Sequence, residues 1–61
     1  MARYFLKTKG KTIKSINAVS DSVARREANL HIFRYNIYSE FPKLYKATMT
    51  NGIVKETEIN L

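Results

Sequence analysis

Only two glycines and one proline occur in the chain, and their positions constrain its fold. Gly10 lies between two lysines at the end of a strand-like segment, and Asn51-Gly52 separates two further strand-like segments. Asn-Gly in that setting is a strong signal for a β-hairpin. Residues 23–41 contain neither glycine nor proline and are followed by Pro42, which favours a helix in this stretch.

The positions of the glycines and the proline predict the order strand–strand–helix–strand–strand. Short polar side chains at Ser20, Asp21 and Ser22 supply oxygens that can accept the free N–H groups of a first helical turn. The predicted fold is therefore α+β, a single domain over residues 1–61 in which an antiparallel sheet packs one face on one helix. We expect strands at residues 3–8 and 12–19, a helix at 21–38, and strands at 44–50 and 53–59.

Two points of this fold have alternatives. Residues 39–42 resemble a helix start, so a second helix that ends at Asn51-Gly52 would give a β-β-α-β fold with a C-terminal helix, and residues 30–37 would then form a strand. In the last hairpin, a three-residue loop pairs Met49 with Ile53 and gives the more coherent apolar face, so we prefer it. A two-residue loop would instead pair Met49 with Val54.

The size of the chain argues against an enzyme. At 61 residues it buries only about 60% of the surface of its unfolded chain, and it is too short to enclose a substrate cavity in the usual way. Glu27 and His31 are spaced as a helical i, i+4 pair, and Glu56 and Glu58 share a strand face, but such pairs are more often structural or solvated than catalytic. The chain has no cysteine and only one histidine. We therefore expect a non-enzymatic protein with no cofactor and no metal.

The sequence also bears on location. No apolar stretch approaches the roughly 20 residues of a membrane helix, and the first residues lack the apolar region of a signal peptide. We expect a cytoplasmic protein that has no membrane partner.

Positive charge is concentrated near the start of the chain. Eleven basic and five acidic residues give a net charge of +6, and residues 1–20 contain five basic residues and no acid. Unbalanced cations favour a polyanionic partner, of which nucleic acid is the commonest. The alternative is a solvated lysine-rich face that only keeps the protein soluble.

Aromatic residues strengthen the nucleic-acid interpretation. Tyr4 and Phe5 point to opposite faces of the first strand, with Arg3 and Lys7 on the Phe5 side, and aromatic side chains on a sheet can stack on bases. In the alternative, Phe5 packs in the core and Tyr4 covers its edge. Arginines on the helix could extend the basic track. The predicted nucleic-acid-binding residues are Arg3, Phe5, Lys7, Lys9, Lys11, Lys14, Arg25 and Arg26, and RNA is favoured over DNA.

The predicted helix has two apolar arcs. One contains Ala24, Ala28, His31, Tyr35 and Tyr38, and its small alanines allow a close approach to the sheet. The other, here called the second arc, consists of Val23, Leu30, Phe33 and Ile37. The second arc predicts an interface with an acidic protein or with a second copy of the chain. It is otherwise one edge of a broad core contact.

Two families share local patterns with the chain. Residues 12–30 resemble the strand–cap–helix junction of small phage-type accessory proteins. The residues that carry this resemblance are Ile16, Ala18, Ser20, Ala24, Arg25, Arg26 and Ala28. This resemblance implies a non-enzymatic protein that binds or inhibits host factors such as toxin ribonucleases or defence nucleases. The chain is also similar to the small phycobilisome linker domain. This similarity lies in the order and spacing of Ile32-Phe33, Tyr38-Ser39, Phe41, Tyr45 and Gly52-Ile53-Val54. That family usually has paired glycines where this chain has Asn51-Gly52, and its basic members insert among acidic pigment proteins.

Overall fold

Both hairpins of the protein are closed by two residues with left-handed backbone. In the computed structural model, which describes residues 1–61, strands β1 (Ala2–Thr8) and β2 (Lys11–Ala18) are joined by Lys9 and Gly10, with φ angles of 51° and 79°. Positive φ at both central positions defines the turn that best matches the twist of hairpin strands. Glycine supplies the second of these conformations without steric cost.

The second hairpin shows the same geometry and corrects the predicted register. Strands β3 (Lys43–Thr50) and β4 (Ile53–Ile59) are joined by Asn51 and Gly52, with φ angles of 51° and 78°. The loop therefore has two residues, Met49 pairs with Val54, and the three-residue loop is wrong. Both sides of the hairpin are exposed at this end, so no buried face selects the register and the turn chemistry decides it.

The four strands form one antiparallel sheet in the order β2-β1-β3-β4. One helix, α1 (Asp21–Tyr35), connects β2 to β3, so the predicted α+β fold is confirmed. The alternative with a C-terminal helix is wrong, because only a single 3-10 turn forms at Tyr38–Glu40. The residues from Lys43 onward instead pair with β1 and give its second edge a partner. None of the helices has the length and apolar composition needed to cross a bilayer.

The two ends of α1 are set by short polar residues. The Ser20 hydroxyl accepts a hydrogen bond from the Val23 N–H at 3.3 Å and caps the start of the helix. Asn36 adopts a left-handed conformation with φ 52°, and its N–H donates to carbonyls of the last turn. The helix therefore ends at Tyr35, three residues before the predicted end, because asparagine tolerates the left-handed conformation of a C-terminal cap.

The core lies between α1 and the first three strands. On the helix, Ala24, Ala28 and Ile32 are buried, whereas His31 and Tyr35 of the predicted core arc remain at least partly exposed. Ile32 belonged to neither predicted arc, and its burial with Ala24 and Ala28 rotates the contact face around the helix axis, away from His31. The complete hydrophobic core consists of Tyr4, Leu6, Ile16, Ala18, Ala24, Ala28, Ile32 and Leu44.

Tyr4 links the core to the start of the helix. Its ring is fully buried, and its hydroxyl donates a hydrogen bond to Asp21 Oδ1 at 2.5 Å. Lys46 Nζ lies 3.4 Å from the same oxygen and 5.9 Å from the centroid of the Tyr4 ring. The hydrogen bond to Asp21, together with burial, raises the pKa of Tyr4 to about 12. The arrangement with Phe5 in the core and Tyr4 at its edge is wrong, because Tyr4 faces the helix and Phe5 the opposite side.

The Tyr4 bond gives Asp21 a pH-dependent contribution to stability. The hydroxyl of Tyr4 and the nearby Lys46 ammonium lower the pKa of Asp21 below its ordinary value of 3.8. A lowered folded pKa means that the contribution is present above the unfolded pKa and is lost as pH falls through the folded pKa. We expect Asp21→Asn to reduce the free energy of unfolding at neutral pH, and the deficit to vanish in acid.

Urea unfolding followed by circular dichroism at a series of pH values measures this difference. The same substitution made in a Tyr4→Phe background provides the control, since the deficit should be smaller once the hydroxyl donor is gone. A deficit that is independent of pH, or equal in both backgrounds, contradicts this assignment.

Candidate nucleic-acid interface

The sheet has one face covered by α1 and one face that no element covers. Because side chains alternate along a strand, β1 directs Tyr4 and Leu6 toward the helix and Arg3, Phe5 and Lys7 away from it. This confirms that Arg3 and Lys7 share a face with Phe5. We call the uncovered side, with these residues and their cross-strand neighbours, the open face.

Two aromatic rings lie side by side at the centre of the open face. Phe5 is paired with Tyr45 of β3, and both side chains are half-buried. Lys7 Nζ lies 5.2 Å from the centroid of the Tyr45 ring. Lys7 is itself paired with Lys43, while Arg3 lies beyond the aromatic pair at the other end. Cations therefore flank the pair at both ends.

The β4 side of the open face is acidic. Glu56 and Glu58 are paired with Ala47 and Tyr45, which places both carboxylates on this face. Lys7 extends past Tyr45 and donates to Glu56 Oε1 at 2.5 Å. The open face is thus positive toward the β1–β2 turn and negative along its β4 edge.

A β-bulge determines where the lysines of β2 point. The register between β1 and β2 shifts at Leu6/Lys7, so that Leu6 pairs with Lys14 and no β1 residue pairs with Ile13. Without this extra residue, Lys14 would share a face with Phe5, and Ile16 would leave the core. The bulge brings Ile16 under the helix and takes Lys14 to the helix side of the sheet.

The eight predicted nucleic-acid-binding residues therefore occupy several surfaces. The structure brings three of them together on the open face: Arg3, Phe5 and Lys7. Lys9 lies in the β1–β2 turn at one end of that face, whereas Lys11, beside the turn, is paired with the buried Thr8 and therefore lies on the helix side of the sheet. The other three lie on the helix side: Lys14, Arg25, which donates to the Asn60 carbonyl at 3.5 Å, and Arg26.

Further residues of the open face were absent from the predicted set. Tyr45 and Lys43 come from β3, and their alternation with the buried Leu44 is visible in the sequence. That signal becomes useful only when β3 is known to pair with β1 in this register. Phe41, at the corner before β3, carries an exposed ring beside them.

A second depression lies between α1 and β2. It measures about 340 Å³ and is lined by Lys14, Glu27, Leu30, His31, Arg34 and Tyr35. The His31 ring lies 4.6 Å from the Tyr35 ring, and burial together with the charges of Lys14 and Arg34 lowers the pKa of His31. Glu27 and His31 share this depression without a hydrogen bond between them.

The residues of the second arc have two different environments. Val23 and Ile37 pack against the core and are partly buried. Leu30 and Phe33 are 52% and 71% exposed, and on the helical wheel they lie opposite the buried Ala28. The arc is therefore half core edge and half exposed apolar surface.

Comparison with known proteins identifies no relative of the chain. No family model, curated protein or solved structure matches the chain. The resemblances to phage-type accessory proteins and to the small phycobilisome linker domain therefore stay predictions.

The ion pair between Lys7 and Glu56 is expected to contribute little to folding. Both side chains are partly exposed, at 23% and 35%, and such pairs contribute about 0–1 kcal/mol. Glu56→Gln should therefore change the free energy of unfolding by less than about 1 kcal/mol, as measured by urea titration. Glu58→Gln, on the same face without an ion pair, is the matched control. A much larger loss for Glu56→Gln would show that the pair organises the open face.

Proposed function

We propose that the protein is a non-enzymatic nucleic-acid-binding protein that holds a single strand, preferentially RNA, on the open face. The observation that carries this proposal is the Phe5–Tyr45 pair, which lies uncovered at the centre of the sheet between basic side chains. Both rings are half-buried, and the remaining part of each ring surface is available to a ligand.

Stacking and charge would act together on this face. Nucleobases stack on aromatic side chains with little dependence on sequence, and each stacked base contributes about 1–3 kcal/mol. Arg3, Lys7 and Lys43 lie within the same surface and would neutralise phosphates of the strand. Lys7 would exchange its Glu56 partner for a phosphate, at small cost because that pair is partly exposed.

The acidic β4 edge would orient the strand. Glu56 and Glu58 repel phosphates, so the sugar–phosphate backbone would run along the β1 and β2 side of the open face. Carboxylates on the opposite side can still accept hydrogen bonds from base amino groups. The asymmetry favours one position for the backbone and one for the base edges.

The geometry favours a single strand, and its polar groups favour RNA. In a duplex the faces of the bases are already stacked, so the aromatic pair could not reach them. Ser15 and Asn17 are paired with Phe5 and Arg3 and lie where the backbone would run. Their side chains can bond to a 2′-hydroxyl, the group that distinguishes RNA from DNA. The resemblance to phage-type accessory proteins supports a role as an inhibitor or adaptor of a host nucleic-acid enzyme or toxin.

Binding of a fluorescent single-stranded RNA, measured by anisotropy at two salt concentrations, tests this function. We expect Phe5→Ala to weaken binding about tenfold through lost stacking, while Phe33→Ala on the helix has no effect. Lys43→Glu should weaken binding and flatten its salt dependence, whereas Lys55→Glu, on the other side of the sheet, should do so much less. Absence of binding at low salt, or equal losses for the matched variants, would rule the function out.

The second candidate function is a protein-interaction module, an inhibitor or linker, that binds an acidic protein or pairs with a second copy. It is favoured by Leu30 and Phe33, which are exposed on the outer side of α1. Exposed apolar groups of this kind often belong to an interface. Only these two side chains of the second arc are exposed, whereas a stable interface usually takes about 20–30 residues from each partner, so this candidate ranks second.

Substitution of Leu30 and Phe33 by Asp tests that candidate. If the helix is an interface, the double variant should lose self-association in sedimentation equilibrium, or partner capture from nuclease-treated lysate. Its free energy of unfolding should change by only about 0.5 kcal/mol, because both side chains are exposed. Lys9→Glu with Lys11→Glu should leave this association largely intact. A loss of stability without any loss of association would mean that the arc is only core edge.

A further inference from the structure

The open face ends in a depression beside the β1–β2 turn. It measures about 370 Å³, at the lower limit for a small-ligand site. Three segments form it: the end of β1 with its turn, the corner before β3, and the start of β3. The lining residues are Lys7, Lys9, Gly10, Glu40, Phe41, Lys43 and Tyr45.

Three lysines and one glutamate give the residues that line the depression a net charge of +2, against the single negative charge of an internal phosphate. Lys9 and Lys43 make no ion pair, Lys7 is paired with Glu56, and Glu40 is the only acid in the lining. A phosphodiester within a strand carries one negative charge. A terminal phosphate carries about −1.5 to −2 at neutral pH and has three acceptor oxygens. The net charge of +2 that the lining presents once Lys7 exchanges Glu56 for a phosphate matches the second kind of phosphate.

Phe41 has a backbone conformation that aromatic residues rarely adopt. Its φ is 52°, and its N–H donates to the Tyr38 carbonyl at 3.1 Å. A bulky residue in this region is strained, and such strain often occurs at ligand sites. The Phe41 ring is 81% exposed, so burial within the chain does not compensate for the strain. The ring does, however, provide an aromatic surface beside Tyr45 and the lysines.

We propose, building on the nucleic-acid-binding function, that this depression binds a strand end that carries a terminal phosphate. Lys9 and Lys43 would hold the phosphate, and Phe41 with Tyr45 would provide the surface for the terminal base. The position is suited to an end, because the open face stops at the β1–β2 turn. The protein would then recognise phosphorylated termini in addition to internal single-stranded segments.

Three labelled RNAs of one sequence test the proposal: one with a 5′-phosphate, one with a 3′-phosphate and one with hydroxyls at both ends. We expect one phosphorylated RNA to bind at least tenfold more tightly than the hydroxyl form, and the two phosphorylated arms identify which end is held. Lys9→Gln and Lys43→Gln should abolish the preference, whereas Lys11→Gln should retain it. Equal binding of all three RNAs would overturn the subsite and leave the proposed function intact.

A substitution at Phe41 separates the ligand contact from a structural role. Glycine adopts positive φ readily, so Phe41→Gly should leave the protein folded, with a midpoint of thermal unfolding no lower than that of the wild type. The same variant should lose most of the preference for the phosphorylated end. Retention of the full preference by Phe41→Gly would remove Phe41 from the site. If no RNA binds at low salt, the proposed function fails, and the terminal subsite fails with it.

Discussion

The fold depends on the hydrogen bond by which Tyr4 of strand β1 joins the sheet to the start of the helix. Its ring fills the core under α1, and its hydroxyl satisfies the Asp21 carboxylate in the first helical turn. A buried hydroxyl needs such a partner, so the bond places the helix over one face of the sheet. Phe5, the next residue, must then lie on the other face. The covering of one face and the exposure of the other follow from the same pair of residues.

The small core explains why so much aromatic surface stays outside. α1 meets the sheet through Ala24, Ala28 and Ile32, and with the close approach of the alanines the core holds a single aromatic ring, that of Tyr4. Of the aromatic residues, only Tyr4 is buried, and all three phenylalanines lie outside the core. In a chain that buries little surface, leaving these rings exposed forgoes stabilisation. The rings of Phe5 and Tyr45 on the open face are half-buried, so part of their surface stays in contact with solvent.

One extra residue in β2 decides how the charge is distributed. The bulge at the Leu6/Lys7 step turns Ile16 into the core and Lys14 toward the helix, so the acid-free first third of the chain does not form one basic surface. The positive part of the open face combines Arg3 and Lys7 with Lys43, which is distant in sequence. A run of like charges along the chain is therefore a poor guide to a surface patch, because pairing and pleat decide which side each residue takes.

Local chemistry was sufficient for part of this structure. The turn residues, the Ser20 cap and the stretch free of glycine and proline predicted the five elements and their order, because each acts on its own neighbours in the chain. The bulge in β2 and the burial of Ile32 were beyond that reasoning, since each depends on contacts between distant segments. The register of the last hairpin is itself local, but the prediction gave the apolar face of the strands more weight than the two-residue turn that Asn-Gly favours. The pairing of Phe5 with Tyr45, and the meeting of Lys9, Phe41 and Lys43, exist only because β3 pairs with β1.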